Sequence, residues 1–254
     1  APFHAPNSQI NAIIHTGKEL LLGMSDAGVI SFNPKTNQAK RLHLTKGNEA
    51  AYHFYKDKEQ KIWIGAESGL YSYLNGSIQK ETEISTQMND LSVYGICTDH
   101  QDRLWIGSYG GGIFIFNKEK QLEYHISDES GLCDNSIFHL YKDSKGRIWA
   151  ATREGVTCLD NTHPTLKIQS YGYVQGLKDV FTRAISEDKQ GYIWVSTTKG
   201  LSCLNPQSGR FANYDYRDGI PEGNFSYGSV CSTNDGTLYF GSLNGVCYFQ
   251  PEEI

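Results

Sequence analysis

One phrase recurs six times along the chain: a short apolar run centred on Trp, one or two small or polar residues, a turn ending in Gly, and a second apolar run. It reads KIWIGAESGLYSY (61–73), RLWIGSYGGGIFIFN (103–117), RIWAATREGVTCLD (147–160) and YIWVSTTKGLSCLN (192–205). Looser copies, ELLLGMSDAGVISFNP (19–34) and TLYFGSLNGVCYFQP (237–251), flank them. The central position is held by Leu21, Trp63, Trp105, Trp149, Trp194 and Tyr239, in steps of 42, 42, 44, 45 and 45 residues. A period near 44 residues implies a repeat architecture, in which each unit buries its apolar faces only against its neighbours.

Each unit divides into four strand-length pieces separated by turn signals. In residues 136–160, SIFHLYKD is a first strand, Asp143-Ser144-Lys145-Gly146 a tight turn and RIWAAT a second strand. Arg153-Glu154-Gly155 then leads into VTCLD, and LKIQSYG follows as a looser fourth. Four short antiparallel strands per unit make a β-propeller blade. The predicted fold is therefore all-β: one propeller over residues 1–254, with blades centred near the six positions above. A seventh blade from outside this chain stays open. Pro2-Phe3-His4 stands where a fourth strand of the last blade would be needed to close the ring. No window has the sustained 3.6-residue periodicity of a helical solenoid.

The repeated residues themselves have structural duties. The Trp is expected to fill the space between twisted neighbouring sheets. Gly28, Gly69, Gly111 or Gly112, Gly155, Gly200 and Gly245 mark a turn needing positive φ. Asp57, Asp99, Asp143 and Asp188, six residues before Trp, suit a turn in which the side chain accepts local backbone hydrogen bonds. The six Cys show no CxxC pair and no metal-ligand spacing. They are read as free thiols, mostly packed as small hydrophobes.

Net charge is −5, with acidic and basic residues interspersed, which argues against nucleic acid as a partner. No apolar run approaches the roughly 20 residues a membrane-spanning helix needs. Ala1 opens the chain without Met, a basic n-region or an apolar h-region, so the chain reads as a piece of a longer protein.

The wording of the units resembles one propeller family. They follow D-x-x-G-x-I/L-W-I/V-G/S-T/S-x-x-G-L/V, nearly complete in Asp143–Val156 and Asp188–Leu201, and lack the Gly-His and Trp-Asp dipeptides of WD40 blades. This looks like the two-component regulator propeller repeat. DESGLCDNSI (128–137) resembles the family's Gly-Leu link between units, and 218–254 resembles the last blade before an immunoglobulin-like Y-Y-Y domain. Units one and two drift: Leu21 replaces Trp, and the Gly-Leu link is missing before residues 52 and 94.

The resemblance implies a C-terminal propeller in the periplasmic sensor region of a Bacteroidetes hybrid histidine kinase. The parent would continue into a membrane helix, a kinase core and a response regulator, and would signal to glycan-utilisation genes. It implies an oligosaccharide ligand, no cofactor, contact with membrane only through the parent, and a homodimer formed through the parent receptor. The kinase domain itself is not in this chain, so the segment is expected not to be an enzyme.

Propellers bind at the channel mouth, where the loops leading into the first strands meet the loops joining second and third strands. An oligosaccharide wants aromatic faces for its C–H surfaces and planar hydrogen-bonding groups for its hydroxyls. Tyr109, Arg153, Glu154, Arg183, Lys199, Asn224 and Tyr227 are the candidate binding residues in those loops. His53 and His139 share a position ten residues before Trp, also held by Asn11, Gly95, Ala184 and Ser229. That position suits the lining of the channel. Two His fall short of the three or four ligands of a metal site. Neither GxSxG nor HExxH occurs, and no catalytic residue is assigned. Two other readings remain: a protein-interaction or dimerisation propeller, and a propeller lyase or glycoside-active enzyme, because one fold hosts all three.

Overall fold

The structure, a computed structural model, describes residues 9–45 and 47–254. Six antiparallel sheets follow one another along the chain, each in simple sequential strand order. The first five have four strands and the sixth has three among the described residues. The first strands are Ile10–His15, Ala51–Lys56, Val93–Thr98, Ile137–Lys142, Thr182–Glu187 and Phe225–Ser232. Each packs on the first strand of the next sheet, and Ile10–His15 lies against Phe225–Ser232. The ring closes at six blades, which answers the open question of a seventh. The fourth strand expected from Pro2-Phe3-His4 lies outside the described residues. No helix among those described is long and apolar enough to cross a membrane.

The apolar clusters run between blades. Trp105 is buried with Cys97, Ile113 and Ile115 of blade 3 and with Ile137, Leu140 and Ile148 of blade 4. Trp63, Trp149 and Trp194 do the same at the other seams, and Leu21 serves blades 1 and 2. The turn Asp does more than order its own turn. Its Oδ2 accepts the indole N–H of the same unit at 2.8 Å in Asp57–Trp63, Asp143–Trp149 and Asp188–Trp194, and at 2.9 Å in Asp99–Trp105. The other oxygen takes two backbone N–H groups of the turn, as in Lys145 and Arg147 onto Asp143. The six-residue spacing thus ties each hairpin turn to the ring that fills the adjacent seam.

The Gly-Leu links also have a physical form. After each of three 3-10 turns, Asp128–Ser130, Tyr173–Gln175 and Tyr216–Asp218, a left-handed Gly (131, 176, 219) reverses the chain. It drops Leu132, Leu177 or Ile220 into the core. Before blade 3, where this link is absent, the short helix Thr82–Gln87 replaces it and Met88 is fully buried. At the second turn the conserved spacing needs Gly: Gly155 has φ +135°, and a Cβ there would lie 2.4 Å from the Tyr171 carbonyl oxygen. In the third repeat the turn Gly is Gly112, with φ +77°, rather than Gly111.

All six cysteines are free, and only Cys231 is exposed. Burial pushes the thiols of Cys97, Cys158 and Cys203 up to about 12, so they stay protonated and unreactive.

Candidate functional site

Five of the first strands carry one extra residue opposite the second strand. Ala51 pairs with Ala66 and His53 with Gly65, which leaves Tyr52 unpaired. The same irregularity leaves Asn11, Tyr94, Phe138 and Arg183 without a partner in blades 1, 3, 4 and 5. In blade 6 it is larger: Phe225 pairs with Ser242 and the next pair is Val230 with Phe240, so Ser226–Ser229 bulge as a group. A bulge bends the strand and re-aims the side chain it releases. Here it does so on the innermost strand of every blade.

The released side chains meet. Tyr52 and Tyr94 stack with ring centres 4.1 Å apart. Tyr94 lies 5.8 Å from Tyr227, and Phe138 lies 4.5 Å from Tyr227 and 5.3 Å from Phe181. Tyr109, from the loop after the second strand of blade 3, completes the group at 6.1 Å from Tyr94. Blades 3 and 6 stand opposite each other in the ring, so the contact of Tyr94 with Tyr227 lies on the axis. The channel mouth is floored by aromatic rings from five blades. Tyr109 and Tyr227 are 51% and 37% exposed, which leaves ring surface open to a ligand. Burial, together with its hydrogen bond to Tyr52, holds the Tyr94 phenol far above its ordinary range, so it is a neutral donor.

Arg183 enters this floor among the rings. Its guanidinium carbon is 4.1 Å from the centre of Phe181 and 4.0 Å from that of Tyr227. The side chain is buried, and its Nε finds no hydrogen-bond partner.

One residue further along the strands, the His pair lies under the floor. The rings of His53 and His139 are 5.9 Å apart, and Gly228 packs against both. The His139 Nδ1 accepts the backbone N–H of Ile185 at 3.1 Å, which requires the neutral ring. Burial pushes His53 down to about 4; burial and then the neighbouring His53 push His139 down to about 3. Both are neutral at pH 7. Their folded values lie below the unfolded value near 6.5, so the stability they contribute is full above pH 6.5 and is lost as pH falls toward 4. The melting temperature is expected to drop between pH 6.5 and 4.5, before most carboxylates titrate. His139→Asn, whose amide oxygen can accept from Ile185, should flatten that slope; an unchanged slope would refute the assignment.

The sequence candidates divide. Tyr109, Arg183 and Tyr227 are brought together in the floor. Arg153 and Glu154 stay on the rim, Arg153 reaching Asp134 at 3.4 Å with its side chain 52% exposed. Lys199 lines a separate cleft of about 420 Å³ between blades 5 and 6, with Lys178, Asp179 and Tyr216. Two acids of that cleft are already engaged: Asp179 by Thr198 at 2.5 Å and Asp215 by Lys178 at 2.9 Å. Asn224 sits exposed beside it, its carbonyl accepting from Leu243. Sequence reasoning passed over Tyr52, Tyr94, Phe138 and Phe181. The signal was present eleven residues before Trp, where Tyr52, Tyr94, Phe138 and Arg183 fall in register. Among the described residues no three His, Cys, Asp or Glu side chains converge to hold a metal ion.

A family model described as two component regulator propeller matches residues 87–110, 131–154 and 176–199, the units with the fullest phrases. The extracellular domain of a hybrid two component system from B. thetaiotaomicron is similar at 33% identity and TM-score 0.85, over 96% of this chain and 34% of that one. Histidine kinase P4 from Formosa agariphila is 22% identical over 266 residues, covering 96% of this chain and 16% of that protein. The chain thus spans only a minor part of both relatives. Virginiamycin B lyase from Staphylococcus aureus, at 10% identity and TM-score 0.73 over 98% of this chain and 86% of that one, shares the propeller fold alone.

Proposed function

We propose that this two-component regulator propeller is a ligand-reading module in the extracytoplasmic part of a hybrid sensor kinase, and that it binds an oligosaccharide at its channel mouth. The carrying observation is the floor of rings delivered to the axis by bulges in successive blades. Flat aromatic faces suit the C–H surfaces of a sugar ring, and the phenol hydroxyls supply donors and acceptors for its hydroxyl groups. The relatives support the wider setting, since one is the extracellular domain of a hybrid two component system and another a histidine kinase. In this reading the segment binds and does not catalyse. The neutral His pair is tied into the structure, His139 by the Ile185 backbone, and the output is transcription of glycan-utilisation genes through the rest of the parent protein.

The test is calorimetry of the chain against a panel of defined oligosaccharides, with mass spectrometry of the samples afterwards. The expected result is saturable one-to-one binding of at least one saccharide, recovered intact. Binding of a protein partner with no saccharide bound would favour the interaction reading instead. Cleavage of a panel member would revive the enzyme reading.

A further inference from the structure

Arg183 is the one cation among the residues released by the bulges. At 9% exposure it is buried, and its Nε has no partner. Of the other partly buried arginines, Arg41 donates to the Ala27 carbonyl and to Asn48, and two are paired with carboxylates. Arg103 donates to Asp99 at 2.7 Å and Arg147 to Asp143 at 2.6 Å. Among the described residues no carboxylate is paired with Arg183, which has only the faces of Phe181, Tyr227 and, at 6.0 Å, Phe138. Cation–π contact offsets part of the cost of burying a guanidinium, but a buried charge ordinarily finds a counter-charge. Two ring centres lie within 4.1 Å of the guanidinium carbon. Its N–H groups all lie in its plane, so an anion engages it along an edge.

We infer that the saccharide bound at the mouth is acidic, and that Arg183 receives its carboxylate or sulfate oxygens while a sugar ring lies on the neighbouring aromatic rings. The inference rests on the mouth being the saccharide site. A planar fork pre-oriented by two rings matches a pair of oxyanion oxygens in a way that a lysine or a sugar hydroxyl does not. Because the chain as a whole carries a net charge of −5, the attraction has to be local to this edge.

The experiment pairs acidic oligosaccharides with their neutral counterparts: trigalacturonate with its methyl ester, and galactotriose with and without a 6-O-sulfate. Affinities are measured by calorimetry on the whole chain. One acidic member is expected to bind roughly tenfold to a hundredfold tighter than its neutral partner, the worth of a hydrogen bond to a charged group. Whichever pair shows the gap identifies carboxylate or sulfate as the group read. Arg183→Met should remove the gap and Arg183→Lys should restore only part of it, with folding checked by thermal melting. The comparison on the unaltered chain stands even if a variant fails to fold. Neutral members binding as tightly as acidic ones would overturn the inference and leave the mouth as a saccharide site. Binding of neither class would overturn both.

Discussion

Trp149→Ala is expected to lower the stability of the chain by about 3–5 kcal/mol, the cost of emptying a buried Trp site. Trp149 is fully buried in the seam between blades 4 and 5, packed with Val156, Cys158, Ile185 and Val195, and stacked at 5.8 Å on Tyr171. Asp143 accepts from the indole of Trp149 at 2.8 Å, from Arg147 Nε at 2.6 Å and from two backbone N–H groups. Removing that carboxylate strands four donors, including a guanidinium that also lies over the Trp149 ring. Asp143→Ala should therefore cost about 3–5 kcal/mol, as breaking a buried charged pair does, although it removes only one turn carboxylate. Trp149→Phe keeps the ring and removes one donor, so it should cost only about 0.5–1.5 kcal/mol beyond the change in packing. Urea unfolding of the three variants checks this. A loss below about 0.5 kcal/mol in Asp143→Ala would mean that the turn acid is only a local turn former.

Tyr227→Ala is expected to weaken saccharide binding by roughly tenfold to a hundredfold, the range of an aromatic anchor at the centre of an interface. Tyr227 lies against the rings of Tyr94 and Phe138 and the guanidinium of Arg183, so its loss opens the floor at the axis. It is 37% exposed and sits within the bulge Ser226–Ser229, outside strand pairing. The melting temperature should consequently change little. Calorimetry beside a thermal melt separates the two effects. Unaltered affinity would move the site away from the mouth, and a collapse in stability would make Tyr227 a structural plug.

Much of the fold was legible because packing repeats. The Trp phrase gave the period, the blade seam and the strand order, and the turn Gly and Asp followed from backbone geometry. What stayed hidden in that part was the tie between them, since six residues of spacing do not reveal that an indole N–H reaches back to the turn. The site was legible only in part. Tyr109, Arg183 and Tyr227 were candidates as loop residues carrying the aromatic or planar groups a saccharide wants, and they do converge. Tyr52, Tyr94 and Phe138 did not stand out, because they are regular: they recur in register and look like strand residues. In blades 2, 4 and 5 the inner strands bulge without a Gly or Pro to announce it. Attention fell instead on His53 and His139, which share the position one residue later. Arg153, Glu154, Lys199 and Asn224 were chosen as polar loop residues, and loop membership alone did not bring them to the axis.

The central claim is that the floor of rings is where a saccharide is held. A crystal structure of the chain with a saccharide selected by calorimetry tests it most directly. A sugar ring is expected to lie on Tyr94 and Tyr227, with an acidic substituent against the Arg183 guanidinium. Density for the sugar in the cleft lined by Lys199 and Tyr216, or on the opposite face of the ring, would contradict it.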